Sequence, residues 1–270
     1  MPAEPPLATT MPPAARGSRA AGPGPTLLAF ELATEACSVA LWHDGRLLAR
    51  HAIAPRRQAE LALPWAEALL AEAGVAKSQL DALAVGVGPG AFTGVRLAIG
   101  LVQGIALGLD RPVLPVSTLA ALAEPFLCEG GVLAAIDARM GELYLGEFEG
   151  DAQGLPRPRS AEALLSLDAA AAALAARGPG ADGGMPLLGV GSGFAAGEGR
   201  WHAPLAARLA RIDPAALPTA GAVARIALRD WGEGRALPPE RLEPSYLRDK
   251  VALTSTEQAA ARVASDAPRR

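Results

Sequence analysis

The chain is predicted to fold as an α/β protein of two similar lobes, each a mixed sheet that begins with an antiparallel hairpin and is flanked by helices. Three observations predict this. Apolar runs of strand length at 26–31 and 37–42 are followed by His43-Asp44-Gly45-Arg46 and a third run at 47–53, and Asp-Gly is a strong hairpin signal. A strand at 83–87 then enters a glycine-rich turn and a long apolar helix. Near Val132 the hairpin-then-helix pattern starts again in a fainter copy.

Residues 1–25, rich in Pro, Ala and Gly with Arg16 and Arg19, lack the apolar segment of a signal peptide and read as a disordered extension. The first lobe is placed at 26–122. Its helix at 58–73 is closed by Gly74, and Pro64 inside it removes a backbone donor and should bend it. Leu61, Trp65, Ala68 and Leu69 form one apolar face and Leu63, Ala66 and Leu70 a second, which predicts cover on both sides. The longest apolar run, 95–109, contains Arg96 and Gln103 and stops at Asp110-Arg111-Pro112. A membrane span needs about 20 apolar residues, so this run reads as a buried helix and no membrane is expected. A strand at 113–117 and a helix from Thr118 complete the lobe. The second, smaller lobe at 123–253 holds a strand at 132–137, the turn Ala138-Arg-Met-Gly141 and a strand at 142–149. A helix at 161–176, a strand at 187–190 entering Gly191-Ser-Gly193, and a helix at 220–231 follow, and 254–270 reads as a loose polar tail.

With 270 residues, half of them hydrophobic, the chain can bury a core without disulfides or metal. Its net charge of −3 is not the basic footprint of a protein that grips nucleic acid alone. Cys37 and Cys128 form no Cys-x-x-Cys pair and read as reduced thiols of a cytoplasmic protein. His43, His51 and His202 show no metal-ligand spacing, and His43 is expected to be solvated in its turn.

Gly86-Val-Gly-Pro-Gly-Ala91 has the letters of a dinucleotide fingerprint, but its strand follows a hairpin and no acidic residue ends the next strand. No Gly-Lys-Ser/Thr follows, so it is no P-loop either. Two readings of Gly88, Gly90, Phe92, Thr93 and Gly94 stay open: a tight strand-to-helix turn, or an anion or nucleotide loop at a helix N-terminus with Arg96 at its mouth. Gly100, Gly104 and Gly108 recur every fourth residue along the following helix. Each costs roughly 1 kcal/mol against alanine, so the stripe calls for the close approach of another backbone, within the fold or across subunits. Ser192 in Gly189-Val-Gly-Ser-Gly193 is one place off a nucleophile elbow and reads as a glycine turn. Asp137, Arg139 and Glu142 read as a charged hairpin turn, with no nucleophile or metal beside them. No catalytic residue is assigned.

Four stretches, Ala33-Thr-Glu-Ala-Cys-Ser-Val-Ala-Leu-Trp42, Gly88-Pro-Gly-Ala-Phe-Thr-Gly-Val-Arg96, Ile136-Asp-Ala-Arg-Met-Gly-Glu142 and Pro244-Ser-Tyr-Leu-Arg248, resemble the bacterial TsaB family in order and spacing. The resemblance runs from about 27 to 252 and is loose over 150–218. It implies two lobes of the actin-like ATPase superfamily on RNase H-like sheets. It implies a non-catalytic subunit for threonylcarbamoylation of N6 of the adenosine adjacent to the anticodon in ANN-decoding tRNAs. The implied partners are a TsaD-type catalytic subunit and a TsaE-type ATPase, with a homodimer when alone and tRNA held only through the complex. No cofactor of its own is implied, ATP and metal being expected on the partner subunits. The expected contacts on the two first-lobe helices are Leu61, Trp65, Leu69, Arg96, Leu97, Gly100, Leu101 and Gly104.

The chain departs from the family pattern twice. Glu31-Leu32 stands where Asp-Thr is usual, and Ala91 where Ser is usual. The competing class is an enzyme, either a glycoprotease-like hydrolase or a sugar-kinase-like ATP-dependent protein. The first needs a nucleophile–base pair or a metal, the second carboxylates in both lobes.

Overall fold

Strand β1 (Leu27–Glu31) is buried along its whole length. Its side chains alternate, Leu28 and Phe30 into one core and Leu27 and Ala29 into another. A strand apolar on both sides needs cover on both faces. The computed structural model describes residues 24–176 and 187–248 and supplies that cover with helices. The antiparallel strands β2 (Ala36–His43) and β3 (Arg46–Ile53) meet at Asp44 and Gly45, whose φ values of 48° and 74° are those a two-residue hairpin turn demands. Helix α1 (Gln58–Ala73) ends on Gly74 at φ 67°. Strand β4 (Ala82–Gly86) lies parallel to β1, helix α2 (Phe92–Leu109) follows, and β5 (Val113–Val116) pairs parallel with β4. The sheet order is β3-β2-β1-β4-β5.

Helix α3 (Thr118–Ala123), capped by the Ser117 hydroxyl, leads to the second sheet. There β6 (Val132–Arg139) and β7 (Glu142–Gly150) are the antiparallel hairpin, and β8 (Pro156–Pro158) continues antiparallel on β7. The short strand β9 (Ala163–Ser166) also pairs with β7, and helix α4 (Leu167–Ala175) follows it. Strands β10 (Leu187–Val190) and β11 (Leu209–Asp213) add parallel to β6. Read from β8, the order β8-β7-β6-β10-β11 repeats that of the first sheet strand for strand, so the expected duplication is real.

Four differences from the sequence reading have physical causes. The helix read over 161–176 is a strand and a shorter helix. Its first residues form a ladder with β7, Leu164 opposite Tyr144, and Ser166 then caps α4 by accepting from the Ala169 amide at 3.2 Å. Helix α5 (Ala220–Gly232), read as part of the 123–253 lobe, instead packs on the first sheet, its Val223 and Ile226 meeting Leu27 and Leu114. Within this chain helix α1 is covered on one side: Ala62, Ala66, Leu69 and Leu70 make one core stripe, and Leu63 is exposed. His43 ends β2 rather than sitting free in the turn, with Nδ1 2.9 Å from the Thr26 hydroxyl. The extension (up to residue 23) and the tail at 254–270 lie outside the described residues.

Candidate functional site

Helices α1 and α2 cover the same face of the first sheet. On α2 the buried positions are Gly94, Val95, Ala98, Ile99, Val102 and Ala106. The run expected to be a buried helix is therefore buried on one side only. It is long and apolar enough to cross a membrane by length and composition, but its inner side is built into the first-lobe core. Its outer side carries Leu97, Gly100, Leu101, Gly104, Leu107 and Gly108 at helical spacing. A β-carbon added to Gly100, Gly104 or Gly108 would touch nothing within 4 Å. The glycine stripe therefore serves no packing inside the described fold.

The predicted contact residues divide. Gly100 and Gly104 are exposed, while Leu61, Trp65, Leu97 and Leu101 are half-buried on the rim of the core. Leu69 is a correction: it is 2% exposed and belongs wholly to the core, because it falls on the stripe shared with Ala62 and Ala66. Arg96 is half-buried, its guanidinium carbon 3.2 Å from the centre of the Phe92 ring and 4.9 Å from that of Tyr246. Leu107 and Leu63, 55% and 46% exposed, lie outside the expected contact set. The spacing signal for Leu107 was present, three residues after Gly104 on the same stripe.

The glycine loop has a different task from the stripe. Added β-carbons would lie 2.5 Å from the Ala33 carbonyl oxygen at Gly90 and 2.1 Å from that of Leu32 at Gly94. The loop is pressed on the β1–β2 turn, and the Ala91 amide donates to the Ala33 carbonyl at 2.7 Å. Gly88 is buried, and only Phe92 and Thr93 of the predicted anion-loop residues stand out into solvent.

Glu31 lies under this loop and is 1% exposed. Its carboxylate accepts from the Ala33 amide at 2.8 Å and the Thr118 hydroxyl at 3.1 Å. That hydroxyl in turn accepts from the Gly88 amide at 3.1 Å. Gly86 makes room for it, since a β-carbon there would sit 1.9 Å from Oε2. Burial raises the Glu31 carboxyl to about 7, against the opposing effect of its hydrogen bonds. The carboxyl is thus enclosed and taken up by the chain's own donors.

In the second lobe, Asp137 accepts from the Arg139 amide at 2.8 Å and pairs with its guanidinium at 3.0 Å. Glu142 pairs with Arg248 at 2.6 Å. The Ser192 hydroxyl accepts from the Asp137 amide at 3.2 Å, and His202 is packed on the rings of Phe194 and Trp201. Across the lobes the Ser117 hydroxyl donates to Glu162, whose carboxyl burial raises above the usual carboxylate range. Among the described residues no group of three His, Cys, Asp or Glu side chains is arranged to hold a metal.

Comparison with known proteins follows the same lines. A family model described as TsaD, tRNA N6-adenosine threonylcarbamoyltransferase, matches residues 52–182. The chain is 37% identical over 236 residues to the tRNA threonylcarbamoyladenosine biosynthesis protein TsaB of Escherichia coli strain K12, covering 84% of this chain and 96% of that one. The solved structure of YeaZ from Pseudomonas aeruginosa is 42% identical, with a TM-score of 0.73 over 83% of this chain and all of that one. A second structure from that organism, of a protein described as similar to peptidase YeaZ, aligns with a TM-score of 0.72 at 42% identity. The likeness spans both lobes and nearly the whole of these relatives. The chain belongs to the TsaB family of tRNA threonylcarbamoyladenosine biosynthesis proteins.

Proposed function

We propose that this chain is the non-catalytic subunit of a cytoplasmic tRNA threonylcarbamoyltransferase, and that it activates a TsaD-type catalytic subunit by pairing through the outward sides of α1 and α2. The observation that carries the reading is the stripe Gly100, Gly104 and Gly108, exposed and unopposed on an 18-residue apolar helix. Such a surface is costly in a lone helix and suits a second helix brought closer than the usual 8–10 Å separation (about that range for ordinary side chains). Leu97, Leu101 and Leu107 flank the stripe and would be the apolar seam, with Leu61 and Trp65 of α1 beside it. In the absence of the partner the same side supports a homodimer. A TsaE-type ATPase joins the complex, ATP and metal belong to the partner subunits, and tRNA is held through them.

The sealed Glu31 supports the non-catalytic role, as does the use of the Ser192 hydroxyl as a hydrogen-bond acceptor for the Asp137 amide. The test is threonylcarbamoyl transfer to tRNA in a purified system with the TsaD-type protein of the same source. Transfer is expected only when both proteins are present and none from this chain alone. Full transfer without this chain overturns the proposal.

A further inference from the structure

The last described stretch of the chain runs along the first lobe and then leaves it. Gln103 of α2 donates to the carbonyls of Pro239 and Leu242 at 3.0 and 3.1 Å. Leu242 is buried in the first-lobe core. The Ser245 amide donates to the Val87 carbonyl at 2.8 Å, at the mouth of the glycine loop, and the Tyr246 ring lies against Arg96. Four anchors thus fix residues 239–246 to one lobe. Arg248, two residues on, then reaches the turn of the second-lobe hairpin. It donates to the Ala138 carbonyl at 3.0 Å, pairs with Glu142 at 2.6 Å and brings Nη1 3.8 Å from Met140 Sδ.

That turn needs holding. Arg139 and Met140 both sit at positive φ, 66° and 57°, a region that non-glycine residues enter at a cost, before Gly141 at 75°. Met140 is 76% exposed, so no core packing fixes it. What holds the turn is Asp137 from within, the Leu167 amide on the Gly141 carbonyl, and Arg248 from the other lobe.

We propose that residues 239–248 are an interlobe strap, and that Arg248 is a positioning residue whose clasp on Ala138 and Glu142 fixes the β6–β7 turn to the first lobe. The guanidinium suits the task. Its Nη2 reaches a carbonyl and a carboxylate together with its N–H groups held in the guanidinium plane, which a lysine ammonium does with less fixed geometry. Its side chain is 18% exposed, which limits competition from water. The Pro-Ser-Tyr-Leu-Arg stretch, which the proposed partner surface leaves unexplained, thereby acquires a role in setting how the lobes sit.

Hydrogen exchange over 137–142 in the full chain tests this. A charge-assisted hydrogen bond contributes enough for its loss to raise opening about tenfold. Arg248→Ala is expected to speed exchange there about tenfold while leaving β1 and β4 unchanged. Arg248→Lys is expected to recover part of the protection. Exchange within twofold of the native rate in Arg248→Ala, or a rise of equal size in both sheets, overturns the strap. Glu142→Gln removes the ion pair but keeps the Ala138 bond, and serves if Arg248→Ala does not fold. About a threefold rise confined to the turn is expected from it, and no rise overturns the proposal.

Discussion

Gly104→Leu separates folding from pairing, because the two should move in opposite directions. Gly104 lies inside α2, and its β-carbon position is open. Replacing a helical glycine by leucine at such a site gains roughly 0.5–1 kcal/mol from propensity alone. For a domain of this size that corresponds to a rise in Tm of about 1–4 °C. The partner side of the account is opposite. If a second helix packs over the stripe, a leucine side chain stands between the two backbones and pushes them apart, separating the flanking leucines from their seats. A loss of about 1.4 kcal/mol is then tenfold in Kd, and overpacking commonly costs 1–3 kcal/mol (roughly, in well-packed interiors). Thermal denaturation of the isolated chain and calorimetric titration with the TsaD-type protein read the two quantities. Gly104→Ala should give the stability gain with a smaller loss of pairing. A leucine variant that is more stable and still binds within twofold of the native chain refutes the assignment of the stripe to the partner. One that is less stable alone refutes the reading that the stripe is unopposed.

Three other expectations follow from single contacts. Gly94→Ala should destabilise by about 1–3 kcal/mol, because the added carbon would meet the Leu32 carbonyl oxygen at 2.1 Å, a backbone atom that cannot swing aside as a side chain can; a midpoint in urea unchanged from native would contradict this. Glu31 ionises in the unfolded chain near 4.5 and in the folded chain near about 7, so the fold retains a proton that the unfolded chain releases between those values. Its contribution is intact below the unfolded value, and stability declines as pH rises toward about 7 by about 3 kcal/mol. Glu31→Gln should flatten that decline, and equal slopes for both proteins would refute the assignment. Cys37 is buried, its thiol pushed up to about 12, whereas Cys128 is exposed; a disulfide reagent at pH 8 should modify one thiol in the native chain and the second only on unfolding, and two fast thiols would contradict it.

What the sequence disclosed depended on whether the signal was local. Helix α1 and strand β10 fall where composition and the Gly74 cap placed them. The hairpin at Asp44-Gly45 was legible because its turn chemistry is written in two adjacent residues. Strand β8 was not, since Pro-Arg-Pro lacks strand propensity and survives only at the margin of a sheet. Strand β9 reads as helix by composition, and only its ladder with β7 overrides that. Helix α5 was found, but not the sheet it covers, because that is decided by residues about two hundred positions away, such as Leu27. In the site, the glycine stripe was visible as a spacing. Its outward direction was not, and Leu69 was misplaced because the true core stripe of α1 runs through Ala62 and Ala66, whose small side chains give a weak signal.

The two glycine sets in the first lobe then have separate explanations, and the difference bears on how the lobe works. Gly86, Gly90 and Gly94 admit Glu31 and the β1–β2 turn so closely that any side chain would collide with them. Because Phe30 pairs with Val85 in the parallel register, Gly86 is the next position along and lies beside Glu31. The polar groups of that region answer one another, Glu31 with Ala33 and Thr118, and Thr118 with Gly88. A carboxylate held there disfavours the fold above neutral pH, and hydrogen bonding to its own turn offsets only part of that. Gly100, Gly104 and Gly108 collide with nothing, and the leucines around them remain in contact with water. An apolar, small-residue helix side left open beside a polar region closed on itself is what the proposed pairing through α2 requires. Substitutions at Gly86 should therefore act through stability, and those at Gly104 through assembly.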